Sequence, residues 1–226
     1  MTVIIGFLIG FTIPLFASRF LKFMPCDAGT ALSYMFHIPK FPRWDKKLLK
    51  MWAKFLCHCF IVGIISSLML YYLELKVGNT YSTTALSSFL FVLGLLCYVD
   101  YKTMYLPDVL TVFFLILGFY FAPDYEQSAI GAMYGYLMPT IASAFVCRFK
   151  PDSFGGGDVK ILAGLGAWLG IFGVSIAILL SVFIFIFMSL LRKENAGPYG
   201  PAIGLASYLI LANISLVPLI ISFIAV

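Results

Sequence analysis

Charge is what this chain lacks most. Only 11% of its 226 residues are Asp, Glu, Lys or Arg, and just ten are acidic, whereas an ordinary soluble domain carries roughly 25% charged residues. With 62% of the residues hydrophobic, the composition excludes a surface solvated by mixed charge and describes a polytopic membrane protein. Paired cysteines are absent too. Cys26, Cys57, Cys59, Cys97 and Cys147 include no CxxC pair, which argues against a disulfide framework or a zinc centre. The tightest group, Cys57-His58-Cys59, lies in an apolar run and lacks a fourth ligand, so it reads as packing; His37 is isolated, and no metal is expected. The apolar N-terminus has no basic n-region and no small-residue cleavage site, so it reads as a first transmembrane helix rather than a signal peptide. The Asn213-Ile214-Ser215 sequon falls inside an apolar run, out of reach of glycosylation.

What the chain has instead is apolar runs. A span needs about 20 such residues, and the runs fall at 3–21, 53–73, 83–99, 107–122, 127–147, 159–171, 173–191 and 202–225. The expected fold is therefore all-α, with about eight transmembrane helices in a single membrane domain, 1–226. Its one soluble segment of any size is a basic loop at about 23–52, too short for a core of its own. Basic residues set the orientation, because cytoplasmic loops retain Lys and Arg. Of the fifteen, only Lys76 falls in an even-numbered loop. Both termini are then expected outside and the odd loops in the cytoplasm. The net charge of +5 expresses this asymmetry and gives no reason to invoke nucleic acid.

Three carboxylates stand at the ends of these runs. Asp100 closes the third in CYVDYKTMYLPDVLT, Asp108 opens the fourth after Pro107, and Asp158 opens the sixth after Gly155-Gly156-Gly157 in FGGGDVKILAGLGAWLG. The topology brings all three to the cytoplasmic face, and a carboxylate in or against a span is costly enough to be a functional candidate. Asp108 and Asp158 also have a structural reading, since a carboxylate at a helix N-terminus meets free N–H groups and the positive end of the dipole. Asp100 has none, because it faces the negative end. The three glycines admit two readings: close approach of a substrate backbone to Asp158, or left-handed torsions that glycine adopts without strain.

FGGGDVKILAGLGAWLG resembles the GxGD region of type IV prepilin peptidases, membrane aspartic proteases, and DYKTMYLPD resembles the element carrying their first catalytic aspartate. PYGPAIGLASYL, residues 198–209, is similar to the (F/Y)GP motif at the start of their last helix. Together the matches cover roughly 97–209 in the family's order. The resemblance implies a catalytic pair, Asp100 and Asp158, supported by Gly155, Gly156, Gly157, Pro107, Asp108 and Lys160. It implies cleavage of the basic leader from type IV prepilins or prepilin-like secretion proteins at the cytoplasmic face of a bacterial inner membrane. It also implies N-methylation of the new terminus with S-adenosylmethionine, an activity for which the residues offer no glycine-rich fingerprint. With Cys26 alone in the first loop, the chain resembles the members that lack the zinc-binding cysteines.

Amide hydrolysis needs a base to activate water and an acid to protonate the departing nitrogen, and two aspartates sharing a proton supply both. Asp158, beside Lys160 at a positive helix end, is expected as the base, and Asp100 as the acid. The competing reading is an ion- or proton-coupled transporter using the same aspartates, which would place carboxylates near the midplane among repeated broken helices.

Overall fold

The computed structural model describes residues 1–23, 46–148, 155–192 and 197–213. Most of the basic loop and the second half of the last expected span lie outside them. Among the described residues the chain is all-helical, with no strand. The helices are α1 (Thr2–Phe23), α2 (Lys46–Val77), α3 (Thr83–Thr103), α4 (Asp108–Tyr120), α5 (Tyr125–Cys147), α6 (Gly156–Arg192) and α7 (Gly200–Ala212). Helices α1, α2, α3 and α6 contain stretches long and apolar enough to cross a membrane, while α4 and α7 are shorter apolar helices. In hydrocarbon every backbone group must be satisfied within the chain, which an uncharged apolar run achieves only as a helix.

The expected sixth and seventh helices form one helical stretch, α6, broken at Gly170, where φ is 68° and ψ 179°. The break is a reversal. An unbroken helix would hold Asp158 about 35 Å from Ser181, yet the Tyr199 hydroxyl lies 2.6 Å from Ser181 Oγ and within electrostatic range of Asp158. The two arms of α6 therefore run antiparallel. The first arm ends as a helix must, with its freed carbonyls taken up by side chains: Ser128 Oγ donates to Ala167 O at 2.7 Å and the Tyr81 hydroxyl to Trp168 O at 2.5 Å. Burial pushes the Tyr81 phenol up to about 12, which keeps it a donor. Trp168 is buried against Phe89, Phe114 and Phe121, and its Nε1 donates to Phe114 O at 3.2 Å.

Without a hydrophobic drive between helices in lipid, close packing depends on small residues. Gly131 of α5 lies so near the first arm of α6 that a Cβ there would sit 2.7 Å from Gly170 C. Likewise α1 meets α2 at Gly6, where a Cβ would stand 2.7 Å from Ser67 Cα. Helix α4 runs parallel to the first arm of α6, pairing Asp108 with Lys160 at one end and Gly118 with Ala167 at the other. Helix α7 runs antiparallel to α3, with Gly200 against Asp100 and Gly204 against Cys97. This arrangement gathers the end of α3 and the starts of α4, α6 and α7 at one end of the bundle, opposite the aromatic cluster.

Candidate active site

Asp100 lies in the last turn of α3, which continues to Thr103 before Met104 closes it in the left-handed region. Its side chain is buried, 4% exposed, and Oδ2 accepts the backbone N–H of Gly200 at 2.7 Å. That donor is the first residue of α7, where N–H groups have no partner within the helix. No side chain at position 200 could do the same work, for a Cβ would fall 2.8 Å from Asp100 Oδ2 and 2.9 Å from its Cβ. Asp158 occupies the first turn of α6, half-buried, with its N–H donating to Gly155 O at 3.1 Å. The fold brings Asp158 within electrostatic range of both Asp100 and Tyr199.

Three expectations about the supporting residues need revision. Lys160 does not serve Asp158: its Nζ stands 2.6 Å from Asp108 Oδ1, so the charge expected to mark Asp158 as the base is committed elsewhere. Asp108 opens α4, but the N-cap position is Pro107, which has no capping side chain, and the Asp108 carboxylate is engaged by Lys160. Nor do the glycines before Asp158 supply left-handed torsions, since among the described residues the one glycine at positive φ is Gly170. Gly157 is instead a point of close approach to the chain itself, where a Cβ would sit 2.7 Å from Leu106 Cβ. Gly155 lies against Asp158, a Cβ there falling 3.0 Å from Oδ2, and Gly156 faces open space.

Sequence reasoning noted the PYGPAIG motif only as a likeness and gave Gly200 and Tyr199 no role. The available signal was Gly200-Pro201, a pair without side-chain bulk or a second N–H at a helix start. Of the soft ligands, Cys59 is buried and the His58 ring lies 5.9 Å from that of Tyr98; the Cys26 and Cys147 side chains lie outside the described residues. Among the described residues no three His, Cys, Asp or Glu side chains gather as a metal-ligand set.

An apolar groove of about 290 Å³ follows α3 and α7 past Tyr98, Cys97, Leu93, Gly204 and Leu205, lined also by Ile13 of α1 and Ile65 of α2; neither Asp100 nor Asp158 lines it. Around the aspartate end stand cations. Lys102 Nζ lies 6.0 Å from the Tyr98 ring centre, and the Arg192 guanidinium 5.5 Å from that of Tyr101. Two carboxylates in each other's electrostatic range, one buried and one half-buried, are the kind of pair that general acid–base chemistry uses.

Residues 87–190 match the type IV leader peptidase family. The chain is 32% identical over 167 residues to the prepilin leader peptidase/N-methyltransferase of Aeromonas hydrophila, covering 67% of this chain and 57% of the relative. It is 41% identical over 91 residues to the protein of that name from Pectobacterium carotovorum, covering 38% and 32%. To the Neisseria gonorrhoeae one it is 29% identical over 124 residues, covering 51% and 43%. The chain thus spans a little over half the length of the Aeromonas relative. No solved structure matches. Asp100 and Asp158 both fall inside the segment, residues 87–190, that is similar to the type IV leader peptidase family.

Proposed function

We propose that this protein is an aspartic endopeptidase that removes the leader from type IV prepilins or prepilin-like secretion proteins, with Asp100 and Asp158 as the catalytic pair. The observation that carries the reading is the meeting of these two aspartates at one end of the bundle, from two motifs far apart in sequence, inside the matched segment. One carboxylate takes a proton from water as it attacks the scissile carbonyl, and the other donates a proton to the departing nitrogen. The pair titrates as one unit because each carboxylate lies in the other's field, and Lys160, bound to Asp108, does not mark either member as the base. The apolar groove along α3 and α7 suits the hydrophobic helix that follows the cleaved bond in a prepilin.

The membrane placement belongs to the same proposal. All 226 residues form one membrane domain of eight spans in a bacterial inner membrane, with the termini outside and the basic loop at about 23–52 in the cytoplasm. Lys102, Lys160 and Arg192 stand at the end that holds Asp100 and Asp158, which supports a cytoplasmic position for the site. The transporter reading is less well supported: the pair lies at helix ends, and the broken helix turns at the far end of the bundle from it.

N-methylation rests on the relatives, whose names include that activity. The apolar groove along α3 and α7 does not fit S-adenosylmethionine, since aliphatic side chains dominate its walls and no carboxylate lines it to bind ribose hydroxyls.

The test is cleavage of a prepilin by membranes carrying wild-type protein, Asp100→Asn or Asp158→Asn at matched protein levels. Each substitution removes a protonation state the reaction needs, and we expect cleavage to fall at least about 10²-fold in both. A fully active Asp100→Asn or Asp158→Asn protein would refute the pair. Mass spectrometry of the product's amino group decides methylation in the same assay.

A further inference from the structure

The Asp108–Lys160 ion pair has no part in the chemistry described above, and it lies on the helix turn that carries Asp158. Two contacts join that turn to the connection between α3 and α4. One is the approach of Gly157 to Leu106, where a Cβ would fall 2.7 Å from Leu106 Cβ and 3.2 Å from its carbonyl oxygen. The other is the 2.6 Å bridge from Lys160 Nζ to Asp108 Oδ1. At about 100° per residue, Gly157 and Lys160, three apart, share one face of the helix. Asp158 lies about 160° around the axis from Lys160, so a grip on the Gly157–Lys160 face turns Asp158 away from α4. Asp100 and Tyr199 are the groups whose electrostatic range Asp158 enters.

We propose that Asp108 and Lys160 are positioning residues: their ion pair ties the first turn of α6 to the start of α4 and so sets Asp158 against Asp100. The inference rests on the peptidase reading. Both side chains are substantially exposed, 62% for Asp108 and 40% for Lys160, and pairs of that kind contribute little to global stability. Their consequence is geometric, since a displacement of about 1 Å between reacting groups costs up to about 10²-fold in rate. The middle and far end of the arm are held by Gly135 against Leu162, Gly131 against Gly170 and the Tyr81, Ser128 and Trp168 hydrogen bonds, so the ion pair acts on the first turn, where it adds to the contact of Gly157 with Leu106.

The decisive experiment is a charge exchange in the full-length protein, purified in detergent, with cleavage of a prepilin followed for D108K, K160D and the double variant D108K/K160D. Each single change should lower kcat about 10- to 100-fold with KM and the thermal midpoint little altered, and the double variant should recover to within about threefold of wild type. Unchanged kcat in the single variants, or a double variant no better than either, overturns the proposal. A second readout requires no catalysis. Spin labels at Gly156→Cys, which faces open space, and Tyr120→Cys, which is 73% exposed, report the arm against α4 in a background without native cysteines. The distance distribution should broaden in D108K and narrow again in the double variant; an unchanged distribution counts against the clamp. A wild-type protein that cleaves no prepilin defeats the peptidase reading alone, while the label distances still decide whether the pair sets the arm.

Discussion

Gly200 carries the strictest demand at the scale of single residues, because its amide and its missing side chain serve the same carboxylate. Its N–H reaches Asp100 Oδ2 at 2.7 Å, and there is no room for a methyl group at that approach. Gly200→Ala should therefore displace the Asp100 carboxylate while leaving α7 helical, since alanine is the better helix former. We expect kcat to fall by about 10²-fold with KM largely kept. Steady-state cleavage beside a thermal unfolding curve checks this, and full activity in Gly200→Ala would show that the amide contact is dispensable. Asp100 itself was legible in sequence because a carboxylate at the C-terminal end of an apolar helix lacks a structural excuse. Lys160 was misread for an equally physical reason. Two residues along a helix point to different sides, so proximity to Asp158 in sequence did not make it a neighbour in space.

Among the elements, α6 shows how one residue redirects a run of apolar sequence. Gly170 combines a φ of 68° with a ψ of 179°, a region essentially confined to glycine. The space around it is ordinary, with Gln127 Cβ 3.7 Å from where a Cβ would be. The cost of Gly170→Ala is thus backbone strain rather than collision, about 1–3 kcal/mol, read as a lowered thermal midpoint in detergent. Tyr81→Phe removes a different support of the same turn by leaving the Trp168 carbonyl without its donor, again about 1–3 kcal/mol. If both variants unfold like wild type, the reversal is held by packing alone. The neighbourhood of Gly170 was visible in sequence as a weak boundary between two short runs. The reversal was not, because a glycine inside an apolar run is equally compatible with a straight helix and with a turn.

For the whole molecule, access of a leader peptide depends on which side of the membrane holds the aspartate end. The proposed orientation, with that end in the cytoplasm, rests on the distribution of Lys and Arg and on Lys102, Lys160 and Arg192 standing at that end. Alkaline phosphatase fused after Val226 should be active and fused near Lys46 inactive. The reverse pattern would overturn the orientation and, with it, the access of a cytoplasmic leader to the site.

Sequence by itself determined that the chain is a helical membrane protein, because uncharged runs of this length have no other way to satisfy their backbone in lipid. It also determined which carboxylates to watch, since so few charges remain that each must be accounted for. Tertiary structure decided who touches whom. Asp100 meets an amide one hundred positions away in the chain, Tyr199 meets Ser181, and Lys160 turns from its neighbour Asp158 to Asp108 on another helix. These pairings are set by helix rotation and by how closely small residues let the backbones approach. Both are properties of the packed bundle, and no single run of sequence carries them.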